Sequence, residues 1–521
     1  MTSAFYLPLG LEEGLETTVQ RFGPAHDALE LHLPVVTADD LTRWIEVLRE
    51  ARETNLAPLT TPQIIRSLDK VVGRFLDPGD SPRREAIDSL SRSGRFTIPM
   101  IERALDDAFQ PLARGGITKW LVSELGSVHA LDRPVAGASS AILRRAHGPE
   151  WMLQIYAGNV PALPVWPMLS AVLLKAALLA KTSAREPLLA PLLARTIAEV
   201  DDKLGACLAV VWWKGGSADL DPTAIREAPA VMVFGGEEAL AGVSRHAPRG
   251  ARVVLHGPKV SLAYVERRAL RFAGLRALTA RAAQDVSLYD QQGCLSPHAF
   301  YVERKGEVSP EKFTEVLASA LEEASIHLPR GDVPAEEAAR IQLLRAQARF
   351  EAAGLAAYAP TTVELMDPPP GKAVLGSVGI HGATKVVESS GSTSWTVILE
   401  DRARFEPGPA HRTVRVHAVD GPEDVARALR GGSVRYVEAL GLEASGPERA
   451  RLAALFTGIG IPRIAPIGSM QRPTPLGTHG GMRRLLPFVT WSTVEAAPAS
   501  RVKPSRKSSS TKRAPGRRTS R

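Results

Sequence analysis

From Trp151 onward the sequence alternates between two textures, and this constrains the fold more than any other feature. Short apolar runs at residues 152–156, 178–181, 207–213, 230–234 and 252–256 are separated by segments of helical periodicity. Runs this short, with few polar alternates, read as strands buried on both faces. The helical lengths between them supply the crossovers that parallel strands require. The alternation predicts an α/β fold with a parallel sheet covered by helices. Such sheets bind ligands outside the carboxyl ends of their strands, which is where Asn159, Lys181, Gly215 and Gly235 fall.

The rest of the chain is organised around this unit. Residues 39–109 read as helices, with Leu41, Trp44, Ile45 and Leu48 at helical spacing and a break at Asp77-Pro-Gly-Asp-Ser-Pro82. The predicted division is a helical lead-in over 1–110, a Rossmann-like cofactor domain over 111–265 and an α/β catalytic domain over 266–440. A return segment over 441–494 and a disordered basic tail over 495–521 follow. Within the catalytic domain a strand is expected at 299–303 and a long helix at 334–354, with strands at 395–399 and 413–418 closing the unit. The stretch 160–180 is apolar enough to suggest a membrane span, but Pro161, Pro164, Pro167 and Lys175 interrupt it. It reads as a buried strand-to-helix connection, and no span is expected.

With 44% hydrophobic and 23% charged residues the chain is neither disordered nor fibrous. The formal charge is +8, yet residues 501–521 alone carry nine Lys or Arg and no acid, so the remainder is one unit negative. The folded part therefore has no field that would draw it to a polyanion, and no specific nucleic-acid partner is expected. The first twenty residues lack Lys and Arg and include Glu12, Glu13 and Glu16, unlike a secretory signal. Only Cys207 and Cys294 occur. Two cysteines exclude a disulfide scaffold and a repeated-Cys zinc site, and they fit a cytoplasmic location.

Cys207 opens an apolar run and reads as core. Cys294 lies in Tyr289-Asp-Gln-Gln-Gly-Cys-Leu-Ser-Pro297, a polar, glycine-containing segment just before a strand, where a nucleophile can be presented. Upstream stand Ile155-Tyr-Ala-Gly-Asn-Val-Pro-Ala-Leu-Pro164, Lys175, Lys181-Thr-Ser-Ala-Arg-Glu-Pro187 and Val233-Phe-Gly-Gly-Glu-Glu238. In this order and spacing the segments resemble the aldehyde dehydrogenase superfamily. More closely, Ala157-Gly-Asn-Val-Pro161, His256-Gly-Pro-Lys-Val-Ser261, Asp290-Gln-Gln-Gly-Cys-Leu-Ser-Pro297 and Arg472-Pro-Thr-Pro-Leu-Gly-Thr-His-Gly-Gly481 resemble the long-chain acyl-CoA reductases, the reductase component of the fatty acid reductase in bacterial luminescence. The resemblance spans roughly residues 40–491.

The resemblance implies an aldehyde dehydrogenase-like fold and NADPH-dependent reduction of a long-chain fatty acyl-CoA to the aldehyde through a thioacyl-cysteine. Cys294 matches the superfamily's nucleophile. Asn159, on its own only a turn residue, matches the asparagine whose amide stabilises the oxyanion. Lys181, Ser183, Arg185, Gly235 and Gly236 are the implied cofactor-binding residues. Ala184 stands where NAD-using members often carry a glutamate, and Arg185 follows it, which favours NADP(H); Arg185 reads equally as a solvated residue at a helix start. Leu255 occupies the position of the glutamate that activates water in hydrolytic members, so acyl transfer to a thiol is favoured over hydrolysis. His256 reads either as a group acting on CoA or as support for a strand end, and His479 receives no role. No metal is implied. A homo-oligomer and an acyl-protein synthetase partner are implied by the family. Two alternatives stand beside this reading: a short-chain CoA-acylating aldehyde dehydrogenase, and a non-catalytic scaffold with a polyanion-binding tail.

Overall fold

A computed structural model of the protein describes residues 2–8, 10–24, 28–136, 142–353 and 383–495. Of the expected basic tail over 495–521, all but Glu495 lies outside them. The chain opens with strands. β1 (Thr2–Ser3), β2 (Thr17–Phe22) and β3 (Leu29–Pro34) form a small sheet in the order β1-β3-β2. In β3, Leu29, Leu31 and Leu33 are buried while Glu30 is exposed, the period-two pattern of a strand with one face on a core. The helical lead-in expected from residue 1 therefore starts only at α1 (Ala38–Ala51), because this short alternation lacked the length and turn signals of the later strands.

α1 begins in a capping box between Thr37 and Asp40 and buries Leu41, Trp44, Ile45 and Leu48, the face its spacing predicted. α2 (Thr61–Leu76), α3 (Ser81–Ser91), α4 (Ile98–Phe109) and α5 (Gly116–Leu125) follow, with the break between α2 and α3 at the predicted Pro-Gly turn. Their apolar faces merge with the adjoining sheet into one core, in which Phe75 and Phe109 stack at 4.6 Å.

β4 (Val135–Ala136) and β5 (Ile142–His147) lead into the predicted alternation. It runs β6 (Trp151–Ile155), α6 (Val165–Leu173), β7 (Ala177–Lys181), α7 (Leu189–Val200), α8 (Asp202–Gly205), β8 (Leu208–Val211), α9 (Leu220–Arg226), β9 (Ala230–Phe234), α10 (Glu237–His246) and β10 (Arg252–His256). The five long strands are all parallel, in the order β10-β9-β6-β7-β8. The chain builds outward from β6 to β8 and then returns to the other side of β6, so the order reverses between β6 and β9, where a ligand crevice forms. Every residue of α6 is buried, which accounts for the apolar stretch 160–180. Lys175 within it ends 2.7 Å from Asp132. The outer edge of β8 is covered by Tyr6, whose backbone exchanges hydrogen bonds with Val210 at 2.8 and 2.7 Å.

The second sheet comprises β11 (Val260–Val265), α11 (Phe272–Ser287), β12 (Pro297–Glu303), α12 (Pro310–His327), α13 (Ala335–Ala352), β13 (Ala383–Glu388), β14 (Thr396–Glu400), β15 (Thr413–Val419), α14 (Pro422–Ala428), β16 (Val437–Glu443), α15 (Gly446–Gly458) and β17 (Ile464–Ala465). Its order is β13-β14-β15-β12-β11-β16-β17, and only the β13–β14 pair is antiparallel. Three placements differ from expectation. β11 pairs with β12 and β16, so the chain changes sheet between His256 and Val260 and not at 265. β14 and β15 lie inside the sheet and do not close it. The return expected from 441 begins only after Ala465, since β16 and β17 still hydrogen-bond within this sheet. β18 (Thr490–Glu495) then pairs antiparallel with β5 to make a three-stranded sheet with β4. Among the described residues no helix is long and apolar enough to cross a membrane.

Candidate active site

The carboxyl ends of β6, β7, β9 and β10 open onto a cleft of about 740 Å³. Its opposite wall is the turn before β12, residues 289–296. Tyr289, Asp290 and Gln291 adopt φ of 56°, 49° and 63°, a run of left-handed non-glycine residues that needs strong tertiary support. Asp290 accepts from Arg412 Nε at 2.9 Å and from the Gly331 N–H at 3.0 Å. The Gln291 side chain donates to Pro297 O at 2.8 Å and accepts from the Thr413 N–H at 2.9 Å. Ser261 donates its hydroxyl to Cys294 O at 2.9 Å. Cys294 is thereby presented half-buried in the cleft, whereas Cys207 is buried beside β8. Burial pushes both thiols up to about 12, helped at Cys294 by the Glu438 carboxylate. Acidity does not separate the two cysteines; access does.

Asn159 follows β6 and lines the same cleft. Its Nδ2 donates to Gln292 O at 2.8 Å, tying it to the turn that carries Cys294, while its buried Oδ1 has no partner among the described residues. An amide carries two N–H groups, so a second donor is available to the cleft. Gly158 is required by close approach: a Cβ there would lie 2.7 Å from the Cβ of Arg185.

Lys181 ends β7 with its Nζ 3.3 Å from Asp221 and 5.1 Å from the centre of the Trp213 ring. Burial lowers its pKa, against the raising effect of Asp221. Asp221 also accepts from Trp213 Nε1 and the Gly216 N–H, each at 2.7 Å, and so fixes the whole strand end. Ser183 Oγ accepts from the Arg185 N–H at 3.1 Å, and Ala184 and Arg185 are exposed. Gly235 ends β9 and Gly236 caps α10. A Cβ at Gly235 would lie 2.9 Å from that of Ala239. A buried ammonium, an indole wall and a helix N-terminus around one crevice are a donor set that fits a dinucleotide. Leu255 opens into the same cleft, 38% exposed.

The structure brings His479 and Glu438, to which the sequence assigned no role, together with His256 beside Cys294. Cys294 Sγ lies 3.9 Å from His479 Nε2. The His479 ring stacks on His256 at 4.2 Å, and His256 stacks on Phe234 at 4.5 Å. Burial holds His256 down at about 4 and His479 well below the ordinary range. Glu438 on β16 is buried beside them, raised by burial, and lies 3.4 Å from Lys259. Only the Thr-His-Gly-Gly turn signal hinted at this convergence, because β16 and residues 478–481 are distant in sequence from Cys294. A second, apolar chamber of about 180 Å³ meets the cleft at Cys294, walled by Val160, Leu163, Trp166, Met232 and Phe488.

The fold is shared with solved aldehyde dehydrogenases. Aldehyde dehydrogenase 21 of Physcomitrella patens aligns with a TM-score of 0.67 at 12% identity, covering 96% of this chain and 99% of the other. Aldehyde dehydrogenase C of Pseudomonas syringae aligns with a TM-score of 0.65 at 12% identity, covering 95% and 97%. By sequence the chain is 28% identical to the long-chain acyl-protein thioester reductase of Photorhabdus luminescens over 469 residues, 89% of this chain and 87% of that protein. It is 23% identical to the corresponding enzyme of Photobacterium phosphoreum over 473 residues, 90% and 86%. The acyl-CoA reductase (LuxC) family model matches residues 56–362 and 377–491, most of the chain. The protein therefore belongs to the LuxC acyl-CoA reductase family, oxidoreductases of aldehyde dehydrogenase fold that reduce an acyl thioester to the aldehyde.

Proposed function

We propose that this chain reduces a long-chain fatty acyl-CoA with NADPH, through a thioester on Cys294. The observation that carries the reading is the position of Cys294 at the junction of the apolar chamber and the cofactor cleft. A nucleophile there can hold an acyl chain on one side and receive a reductant on the other. Cys294 attacks the thioester carbonyl, and Asn159 with the Cys294 N–H stabilises the oxyanion away from bulk water. The tetrahedral centre collapses with expulsion of CoA. Lys181, Ser183, Arg185, Gly235 and Gly236 would hold the dinucleotide, whose nicotinamide supplies hydride to the thioester carbon. The resulting thiohemiacetal breaks to aldehyde and free Cys294. Leu255 leaves the position of a water-activating carboxylate apolar, so acyl-Cys294 survives until a thiol or the reductant reaches it.

The 2′-phosphate is assigned to Arg185, which is exposed beside Ala184 and lines the cleft, where its charge acts on the Glu337 carboxylate. The division of labour follows the sheets: the β6–β10 unit binds cofactor, the β11–β17 unit carries the nucleophile, and the β4–β5–β18 sheet joins subunits of a homo-oligomer. An acyl-protein synthetase as acyl donor and a cytoplasmic location complete the proposal, the latter in keeping with a catalytic free thiol. One observation favours the short-chain alternative: a chamber of about 180 Å³ encloses only part of a long acyl chain unless side chains move. A panel of acyl-CoAs of increasing length, followed by oxidation of NADPH or NADH, tests both points. Long-chain acyl-CoA with NADPH should give the highest kcat/KM. A maximum at acetyl- or propionyl-CoA overturns the long-chain assignment, and equal use of NADH by wild type and Ala184→Glu overturns that of Arg185.

A further inference from the structure

One titratable group is placed to move the proton of Cys294. Its Sγ lies within sulfur hydrogen-bonding distance of His479 Nε2, at 3.9 Å. His479 stands at the start of a tight hairpin in which it exchanges backbone hydrogen bonds with Met482 at 2.9 and 3.0 Å. Gly480 and Gly481 form the turn with φ of 61° and 83°. The hairpin is pinned from the catalytic sheet, where the Gly480 N–H donates to Glu438 at 2.7 Å. The imidazole itself lies flat on His256, 16° from parallel. Backbone, sheet and ring stacking thus all fix the direction of Nε2.

We propose that His479 is the proton carrier of the reaction, taking the Cys294 proton on acylation and delivering it to the departing CoA sulfur. This rests on Cys294 being the nucleophile. As the bond between Sγ and the acyl carbon forms, the carbonyl π pair moves to oxygen and the thiol proton to Nε2. When the carbon–sulfur bond to CoA breaks, its electron pair stays on the CoA sulfur, which takes the proton from Nε2. After reduction the thiohemiacetal oxyanion re-forms the carbonyl, and the pair of the breaking bond returns to Sγ. Sγ is then reprotonated from solvent through Nε2, so one solvent proton is consumed per aldehyde.

The surroundings suit a carrier better than a standing ion pair. His256, Lys259 and Arg484 face His479, and Glu438, Lys259 and Arg463 act on Cys294. Burial, with the Lys259 and Arg484 cations, keeps the imidazole neutral at neutral pH, with Nε2 free to accept when Nδ1 holds the proton. The same groups make an imidazolium short-lived, which favours onward transfer to CoA. The thiol, held at about 12, has almost no thiolate of its own at pH 7.

The test is carbamidomethylation of Cys294 by iodoacetamide in the full-length protein without acyl substrate or cofactor, read by mass spectrometry from about pH 6 to 9. A neutral base attached to the site makes the wild-type rate nearly level across this range. In His479→Gln only thiolate reacts, so the rate should rise about tenfold per pH unit and lie ~100-fold or more below wild type at pH 7. Added imidazole should restore a saturable rate to His479→Ala that follows the free base of imidazole, rising to a plateau above about pH 7, and this variant also serves if the glutamine variant does not fold. A level profile in His479→Gln, or a tenfold-per-unit rise in wild type, overturns the proposal. Undiminished acylation of Cys294→Ala by acyl-CoA would overturn the nucleophile assignment instead, and the two failures are distinguishable.

Discussion

Cys294 and Cys207 share a raised pKa, and what separates them is access and what faces them. Cys207 Sγ donates to the Lys203 carbonyl at 3.5 Å and is packed in the main hydrophobic core, while Cys294 shares its cleft with Asn159 and His479. Cys294→Ala should abolish acyl labelling and aldehyde formation, and Cys207→Ala should leave both largely intact, as intact-mass labelling with acyl-CoA will show. Asn159 is bonded to the Gln292 carbonyl and is the proposed oxyanion donor. Removing its amide frees the Gln292 carbonyl and, on the proposed reading, withdraws a donor from the oxyanion. Asn159→Ala should slow acylation by ~100-fold or more with little change in the dissociation constant for NADPH, measured by fluorescence titration. Loss of cofactor affinity with acylation unchanged would move Asn159 out of the oxyanion site.

At the scale of elements, the turn that presents Cys294 is braced by a second turn that meets it. Residues 289–291 are left-handed, and so are Ala410, His411 and Arg412, with φ of 62°, 52° and 59°. The two runs dock through the His411 N–H, which donates to Asp290 O at 2.8 Å, and through the buried Arg412–Asp290 pair. Burial raises the pKa of Asp290 and lowers that of Arg412, so desolvation opposes the attraction between them. Breaking such a pair on one side leaves an uncompensated charge in the interior. Arg412→Leu should therefore destabilise the protein by about 3–5 kcal/mol in urea unfolding, and Asp290→Asn in the same chain should recover part of it. If the pair also positions the nucleophile, iodoacetamide labelling of Cys294 in the double variant stays below wild type under native conditions.

For the whole molecule, the open edge of the five-stranded sheet is the exposed liability that the N-terminus manages. Tyr6 pairs with Val210 on β8, and Leu7, Leu29, Leu31 and Leu33 are buried in the same core as the cofactor sheet. Deleting residues 1–36 should lower the melting temperature and produce aggregates on size exclusion, because an unpaired parallel edge and an apolar face are uncovered together. A truncated protein that melts and elutes like the intact chain would show this cover to be dispensable. The sequence by itself determined the parallel sheet, its helices and the strand ends where Lys181 and Gly235 sit, because buried strands and crossover helices leave local apolar periodicity. It also offered Cys294 as a candidate through its polar, glycine-containing segment, whereas Asn159 was singled out only through the family resemblance. Where the chain changes sheet was not legible, because β10 and β11 are consecutive short strands separated by only three residues, and which sheet each joins is fixed by its hydrogen-bond partners. Nor were His479, Glu438 and the Arg412–Asp290 clamp: each acts across more than a hundred residues, and such contacts leave no local pattern until the two sheets pack.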